Sequence, residues 1–166
     1  TRLETQTLGL KKEQFNLNDV ILHTMNDIMS SREFSSKNLQ LLYEPRDILL
    51  LADKSRIAEV ISNLLSNAVK FTSNGTITIS VEKDANTNER NWTIVNVKDT
   101  GQGIDVNMLP RLFTKFASKS YHGTGLGLFI SKGIVEAHGG KIWAKNNVDG
   151  IGATFSFSLP ASVTET

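Results

Sequence analysis

The sequence predicts an α+β protein, a two-layer sandwich in which helices stack on one face of a mixed, mostly antiparallel sheet. Three observations lead there. Apolar residues recur at helical spacing in the segments beginning at Asn16, Lys54 and Gly125. They alternate at strand spacing in TITISVEK, NWTIVNVKD and GATFSFSLP. The order of these segments along the chain, without internal repeat or low-complexity tract, is the third.

At 166 residues the chain is most simply one domain, since chains usually split only well beyond roughly 150–250 residues. A content of 39% hydrophobic and 21% charged residues is that of an ordinary globular protein able to bury a core. The formal charge of +1 gives no electrostatic case for nucleic acid or an anionic membrane surface. Without cysteine there are no disulfides or thiolate metal sites. The histidines His23, His122 and His138 lack the spacing of a zinc site. No apolar run approaches the roughly 18 residues of a membrane span. The chain opens on Thr1, and residues 1–10 read as the remnant of a preceding helix and linker, broken at Gly9. We therefore expect a fragment whose domain covers residues 11–161, with 162–166 as a tail.

Taken in order, Asn16 is placed to cap a helix bearing Val20, Ile21, Met25, Ile28 and Met29 at helical spacing. QLLYE and DILLLAD are short strand-like runs separated by Pro45. Asp53 is placed to cap a helix from Lys54 to about Phe71, with Ile57, Val60, Ile61, Leu64, Leu65 and Ala68 on one face. Two strands follow, joined by the polar hairpin loop DANTNERN. A helix from Gly125 to about His138 is ended by Gly139-Gly140, and the strands KIWAKN and GATFSFSLP complete the chain.

Three constellations carry chemistry. The first is NxxxNxxK: Asn63, Asn67 and Lys70 form one polar stripe along the apolar helix at i, i+4 and i+7. A solvated helix face is usually rich in Glu, Lys and Gln, whereas this one holds amides and the small Ser62 and Ser66. An amide oxygen is a hard neutral donor suited to Mg²⁺, and a lysine balances phosphate charge. The second is VKDTGQGID, where Asp99 shares the parity of Val95 and Val97, so an acid sits on a face its neighbours bury. Such an acid either caps its own turn or accepts from a ligand's amine, and Gly101 and Gly103 allow close backbone approach. The third is HGTGLGL, whose Gly123, Gly125 and Gly127 alternate just before a helix, where backbone N–H groups and the helix N-terminus suit an anion. It is neither a Walker loop nor a GxGxxG dinucleotide fingerprint.

In combination these motifs resemble the N, G1, F and G2 boxes of histidine kinases, with GIGATFSFSLP as a G3-like end. The boxes define the ATP-binding catalytic domain of the superfamily shared with gyrase, the heat-shock chaperone ATPase and mismatch-repair ATPases. The resemblance runs from about Phe15 to Pro160 and implies a Bergerat-type ATP-binding fold with ATP and Mg²⁺ as ligands. It implies that Asn67 coordinates Mg²⁺, that Asn63 lines the phosphate region, that Lys70 pairs with phosphate and that Phe71 sits by the nucleotide. Asp99 would accept the adenine amino group, with Gly101, Gly103 and Ile104 bordering the ring. Gly123, Thr124, Gly125, Leu126, Gly127 and Leu128 would enclose the phosphates. Phe113 and Phe116 would anchor a lid, roughly residues 105–122. Thr154 matches a threonine near adenine, although its strand parity is opposite to that of Phe155 and Phe157.

One departure stands out. Many family members place an aromatic-plus-arginine pair in the lid; here the run is LFTKFASKSYH, so Lys115 or Lys119 would supply the charge, without arginine's bidentate fork. Asn63 also discriminates among relatives. The ATP-hydrolysing branches carry a glutamate there as general base, and an amide cannot take a proton at neutral pH. The resemblance thus implies a kinase that donates phosphate to a histidine on an upstream dimerisation domain, and onward to a response regulator receiver domain. None of the three histidines here has the acceptor's His-acid-Thr/Ser-Pro context. The fragment is expected to be monomeric and cytoplasmic, and the full-length protein homodimeric, with its membrane anchoring left open. Two alternatives are a nucleotide-binding regulatory module without transfer activity and a serine/threonine-directed kinase of the same superfamily.

Overall fold

The computed structural model describes residues 9–84, 91–115 and 126–160. Along the chain run β1 (Glu13–Asn16), α1 (Leu17–Met29), the short α2 (Arg32–Ser35), β2 (Asn38–Tyr43), β3 (Leu49–Ala52) and α3 (Lys54–Phe71). They are followed by β4 (Asn74–Asp84), β5 (Trp92–Asp99), a 3₁₀ turn (Leu109–Arg111), α4 (Gly127–Ala137), β6 (Ile142–Asn146) and β7 (Ala153–Pro160).

Helix starts are set by side-chain caps that satisfy otherwise orphaned N–H groups. Asn16 Oδ1 accepts from Asn18 N at 3.1 Å, and Asp53 Oδ1 accepts from Arg56 N at 3.3 Å. At the other end of α3, Lys37 Nζ donates to the carbonyls of Val69 (2.6 Å) and Lys70 (3.3 Å), which have no partner within the helix.

Five strands form the main sheet in the order β2–β4–β5–β7–β6; β2 is parallel to β4 and the other pairs are antiparallel. The register sets Ile79 beside Val97 and Val97 beside Phe155, and sets Val81 beside Val95 and Val95 beside Phe157. Strand alternation then gathers these residues on one face, where all are buried. The helices cover that face, α3 packing between α1 and α4. Ile57, Val60, Ile61, Leu64, Leu65, Ala68 and Val69 of α3 lie within this core. The expected two-layer α+β architecture is the one observed.

The strand-like runs on either side of Pro45 part company: β2 joins the main sheet, while β3 pairs with β1 in a separate antiparallel pair. β1 itself was not expected. Its four residues carry little periodicity, and it exists because Phe15 pairs with Leu50 and both are buried. Within the expected hairpin DANTNERN, residues 85–90 lie outside the described residues.

His138, at the end of α4, fastens that helix to the start of α3. Its Nε2 accepts from Asp53 N at 3.0 Å and its Nδ1 lies 2.9 Å from Ile134 O, so the ring is neutral with the proton on Nδ1. Asp53 Oδ2 in turn accepts from Lys11 N at 2.9 Å. One capping residue thereby joins the leading segment, α3 and α4.

Candidate functional site

Asn63, Asn67 and Lys70 leave the buried face of α3 at its margin and are all half-buried. Asn63 is turned toward α4: its Nδ2 donates to Gly127 O at 3.2 Å and to Ser131 Oγ at 3.0 Å. This places Asn63, the first residue of the stripe, against the first turn of α4, where the third glycine of GTGLG sits. Gly127 lies beside Asn63, so that a Cβ there would meet the amide carbon at an ordinary 3.8 Å. No side-chain hydrogen bond or ion pair from Asn67 or Lys70 to another described residue is formed.

Asp99 ends β5 and is 4% exposed, as its strand parity predicted. Its Oδ1 accepts from Gly101 N at 2.9 Å and Ala153 N at 3.2 Å. Burial pushes the carboxyl above its ordinary value, and the two N–H bonds counteract this only in part. The turn-capping reading of this acid is the one observed, through Oδ1, while Oδ2 takes no hydrogen bond from a described residue. Next to this turn, the hydroxyl of Thr72 is buried without a partner among the described residues.

The glycines after Asp99 are explained first by protein packing. A Cβ on Gly101 would fall 2.2 Å from Phe71 O, so this glycine lets the turn approach the end of α3, where Gln102 N also donates to Phe71 O at 3.2 Å. Gly103 sits beside Asn146, whose amide clamps Ile104: Oδ1 accepts from Ile104 N at 2.7 Å and Nδ2 donates to Ile104 O at 2.9 Å. Asn147 Nδ2 donates to Asp99 O at 2.9 Å and to Ile151 O at 2.7 Å. Sequence reasoning missed this asparagine pair, because two amides after a strand read as an ordinary turn.

Thr154 is not brought to Asp99. Its Oγ1 donates to Asn147 Oδ1 at 2.6 Å, and it lines a groove of about 660 Å³ on the uncovered face of the sheet, with Lys98, Trp143 and Ser156. The β7 residue that touches Asp99 is Ala153, through its backbone N–H.

On the lid side, Phe113 packs edge-on against Phe155 with ring centroids 6.4 Å apart, and Lys115 Nζ stands 5.8 Å from the centre of the Phe129 ring. Leu126 and Leu128 are half-buried, and Leu128 and Ile104 pack against the core. Phe116, Lys119, His122, Gly123, Thr124 and Gly125 lie outside the described residues.

Among the described residues no group of three or more His, Asp or Glu side chains could hold a metal ion. Mg²⁺ commonly binds through one or two protein oxygens plus substrate phosphates and water, so a half-buried amide whose oxygen has no partner among the described residues, as at Asn67, suits it without a carboxylate cage.

These features, helices on one face of a mixed sheet with an asparagine stripe meeting a glycine-rich helix start, define a class of nucleotide-binding ATPase and kinase domains. The sequence pattern of the family described as histidine kinase-, DNA gyrase B-, and HSP90-like ATPase matches residues 52–163. The sensor histidine kinase ZraS of Salmonella typhi is 36% identical over 154 residues, covering 91% of this chain and 32% of that protein. The sensor protein KdpD of Clostridium acetobutylicum is 36% identical over 168 residues, covering 96% of this chain and 18% of that protein. The chain thus spans about a third or less of these curated relatives. Among solved structures, the catalytic domain of the histidine kinase ThkA superposes with a TM-score of 0.77 at 31% identity, covering 92% of this chain and 97% of that one. Full-length ShkA in complex with AMPPNP gives a TM-score of 0.78 at 25% identity, covering 99% of this chain and 35% of that one. The chain belongs to this family, as an ATP-binding catalytic domain of the sensor histidine kinase branch.

Proposed function

We propose that this domain binds Mg²⁺-ATP and donates the γ-phosphoryl group to a histidine on a dimerisation domain of the same protein, from which a response regulator receiver domain is charged. The observation that carries the reading is the junction of α3 and α4. Asn63 bonds to Gly127, so the stripe containing Asn67 and Lys70 borders the glycine-rich helix start, and both of those side chains are left without protein partners among the described residues.

In this arrangement Asp99 Oδ2 accepts the exocyclic amine of adenine while Oδ1 stays on its backbone donors. Gly101, Gly103 and Ile104 shape the edge of that pocket and Phe71 adjoins it. Lys70 balances phosphate charge, Asn67 supplies an oxygen to the metal, and the N-terminal turn of α4, with Leu126, Gly127 and Leu128, faces the phosphates. Mg²⁺ neutralises charge on the phosphate oxygens when bound. Phosphoryl transfer demands mainly positioning and charge neutralisation. Asn63 cannot serve as a general base on water, which favours transfer to an acceptor over hydrolysis. Lys115, placed over Phe129, is the candidate lid cation that lies among the described residues.

Calorimetric titration of ATP, with Mg²⁺ and with chelator, tests this reading against Asn67→Ala. The wild-type domain should bind more tightly with Mg²⁺, and the variant should lose that gain while keeping its thermal midpoint. An undiminished magnesium gain in Asn67→Ala removes Asn67 as the ligand.

A further inference from the structure

Ser131 belongs to none of the boxes, yet it is fully buried and meets the first asparagine of the stripe at 3.0 Å. A serine inside a helix ordinarily turns its hydroxyl to solvent or back onto the carbonyl four residues earlier. Here that carbonyl belongs to Gly127, and it accepts from Asn63 at 3.2 Å. The Asn63 amide has two N–H donors, and these two acceptors take one each.

That fixes which way the amide faces. The flipped amide would set Oδ1 against the carbonyl oxygen of Gly127, two acceptors with no proton between them. The nitrogen is therefore committed to α4, and Oδ1 is the atom left without a partner among the described residues. A carbonyl oxygen repels a phosphate oxygen and attracts a cation or the water bound to one.

We infer that Ser131 is a positioning residue: with the Gly127 carbonyl it locks the Asn63 amide so that only oxygen faces the ligand, making Asn63 a contact on the cation side of Mg²⁺-ATP rather than on its phosphates. The inference rests on the proposed Mg²⁺-ATP site. Gly127 alone sets the flip; Ser131 adds the second point that fixes the plane of the amide.

Ser131→Ala tests it, because the substitution removes one oxygen and leaves the helix and its packing volume nearly intact. ATP is titrated into wild type and variant, with Mg²⁺ and with EDTA, alongside thermal melts and the side-chain NH₂ resonances of Asn63. The magnesium gain in affinity should fall by about fivefold, the worth of one ordinary hydrogen bond. Affinity in EDTA should hold, while the thermal midpoint falls modestly for the N–H left without its acceptor and one Asn63 amide proton loses its protection from exchange. An unchanged magnesium gain overturns the inference. So does a parallel loss in both titrations, which would make Ser131 a packing residue only. Wild-type domain that gains nothing from Mg²⁺ overturns the underlying site as well, and that failure is visible without the variant.

Discussion

Asp99 concentrates the conflict between stability and binding at the scale of a single residue. Its carboxyl is held above its ordinary value by burial, with Gly101 and Ala153 donating to one oxygen only. A carboxyl raised in the folded state contributes stability that is present at low pH and is lost as pH rises through the folded value. Asp99→Asn keeps an oxygen for the two N–H groups and removes the desolvated charge. It also puts a donor where the proposed adenine contact needs an acceptor. The variant should therefore melt at a higher temperature than wild type at pH 7 while binding ATP more weakly by about 1.5–3 kcal/mol, the range for hydrogen bonds to charged groups. Differential scanning calorimetry and ATP titration measure the two sides, and unchanged ATP affinity removes Asp99 from the adenine site. The parity of Asp99 with Val95 and Val97 made its burial legible in the sequence. The packing role of Gly101 was not, because nothing local says that its missing side chain makes room for the Phe71 carbonyl.

Between elements, the contact that couples α3 to α4 at the end away from the asparagine stripe is His138. Burial holds its imidazole below the ordinary 6.5, an effect only partly offset by the Ile134 carbonyl and Asp53. For a histidine depressed in the folded state, stability is complete above about pH 6.5 and is lost as pH falls from there toward the folded value. Protonation would also set an N–H against the Asp53 N–H that Nε2 now accepts. Thermal melts from pH 8 to pH 5 should show a declining midpoint that His138→Ala flattens, at a cost of about 1–3 kcal/mol at pH 8 from the unsatisfied buried donor. A wild-type midpoint independent of pH over that range contradicts the assignment. Helices and main-sheet strands were legible because their periods are long and their caps explicit, as at Asn16 and Asp53. β1 and the Asn146–Asn147 clamp were not, since each is defined by a partner distant in sequence: Leu50 for Phe15, Ile104 for Asn146 and Asp99 for Asn147. Thr154, matched by resemblance to a threonine near adenine, stands opposite Lys98 on the uncovered face, as its parity opposite to Phe155 and Phe157 implied.

For the molecule as a whole, the family explains why these local features stand together. The sheet supplies the buried face from which Asp99 emerges, α3 supplies the amide stripe, and α4 brings its N-terminal turn against that stripe through Asn63. The measurement that most directly tests the central claim is phosphoryl transfer. The domain is mixed with radiolabelled γ-phosphate ATP, Mg²⁺ and, supplied separately, the proposed acceptor, a histidine-bearing dimerisation segment. We predict label on that segment, stable in base and labile in acid as a phosphohistidine is, and absent when Asn67→Ala replaces the wild type. Binding of Mg²⁺-ATP that yields only free phosphate, or no label on the acceptor at all, contradicts it.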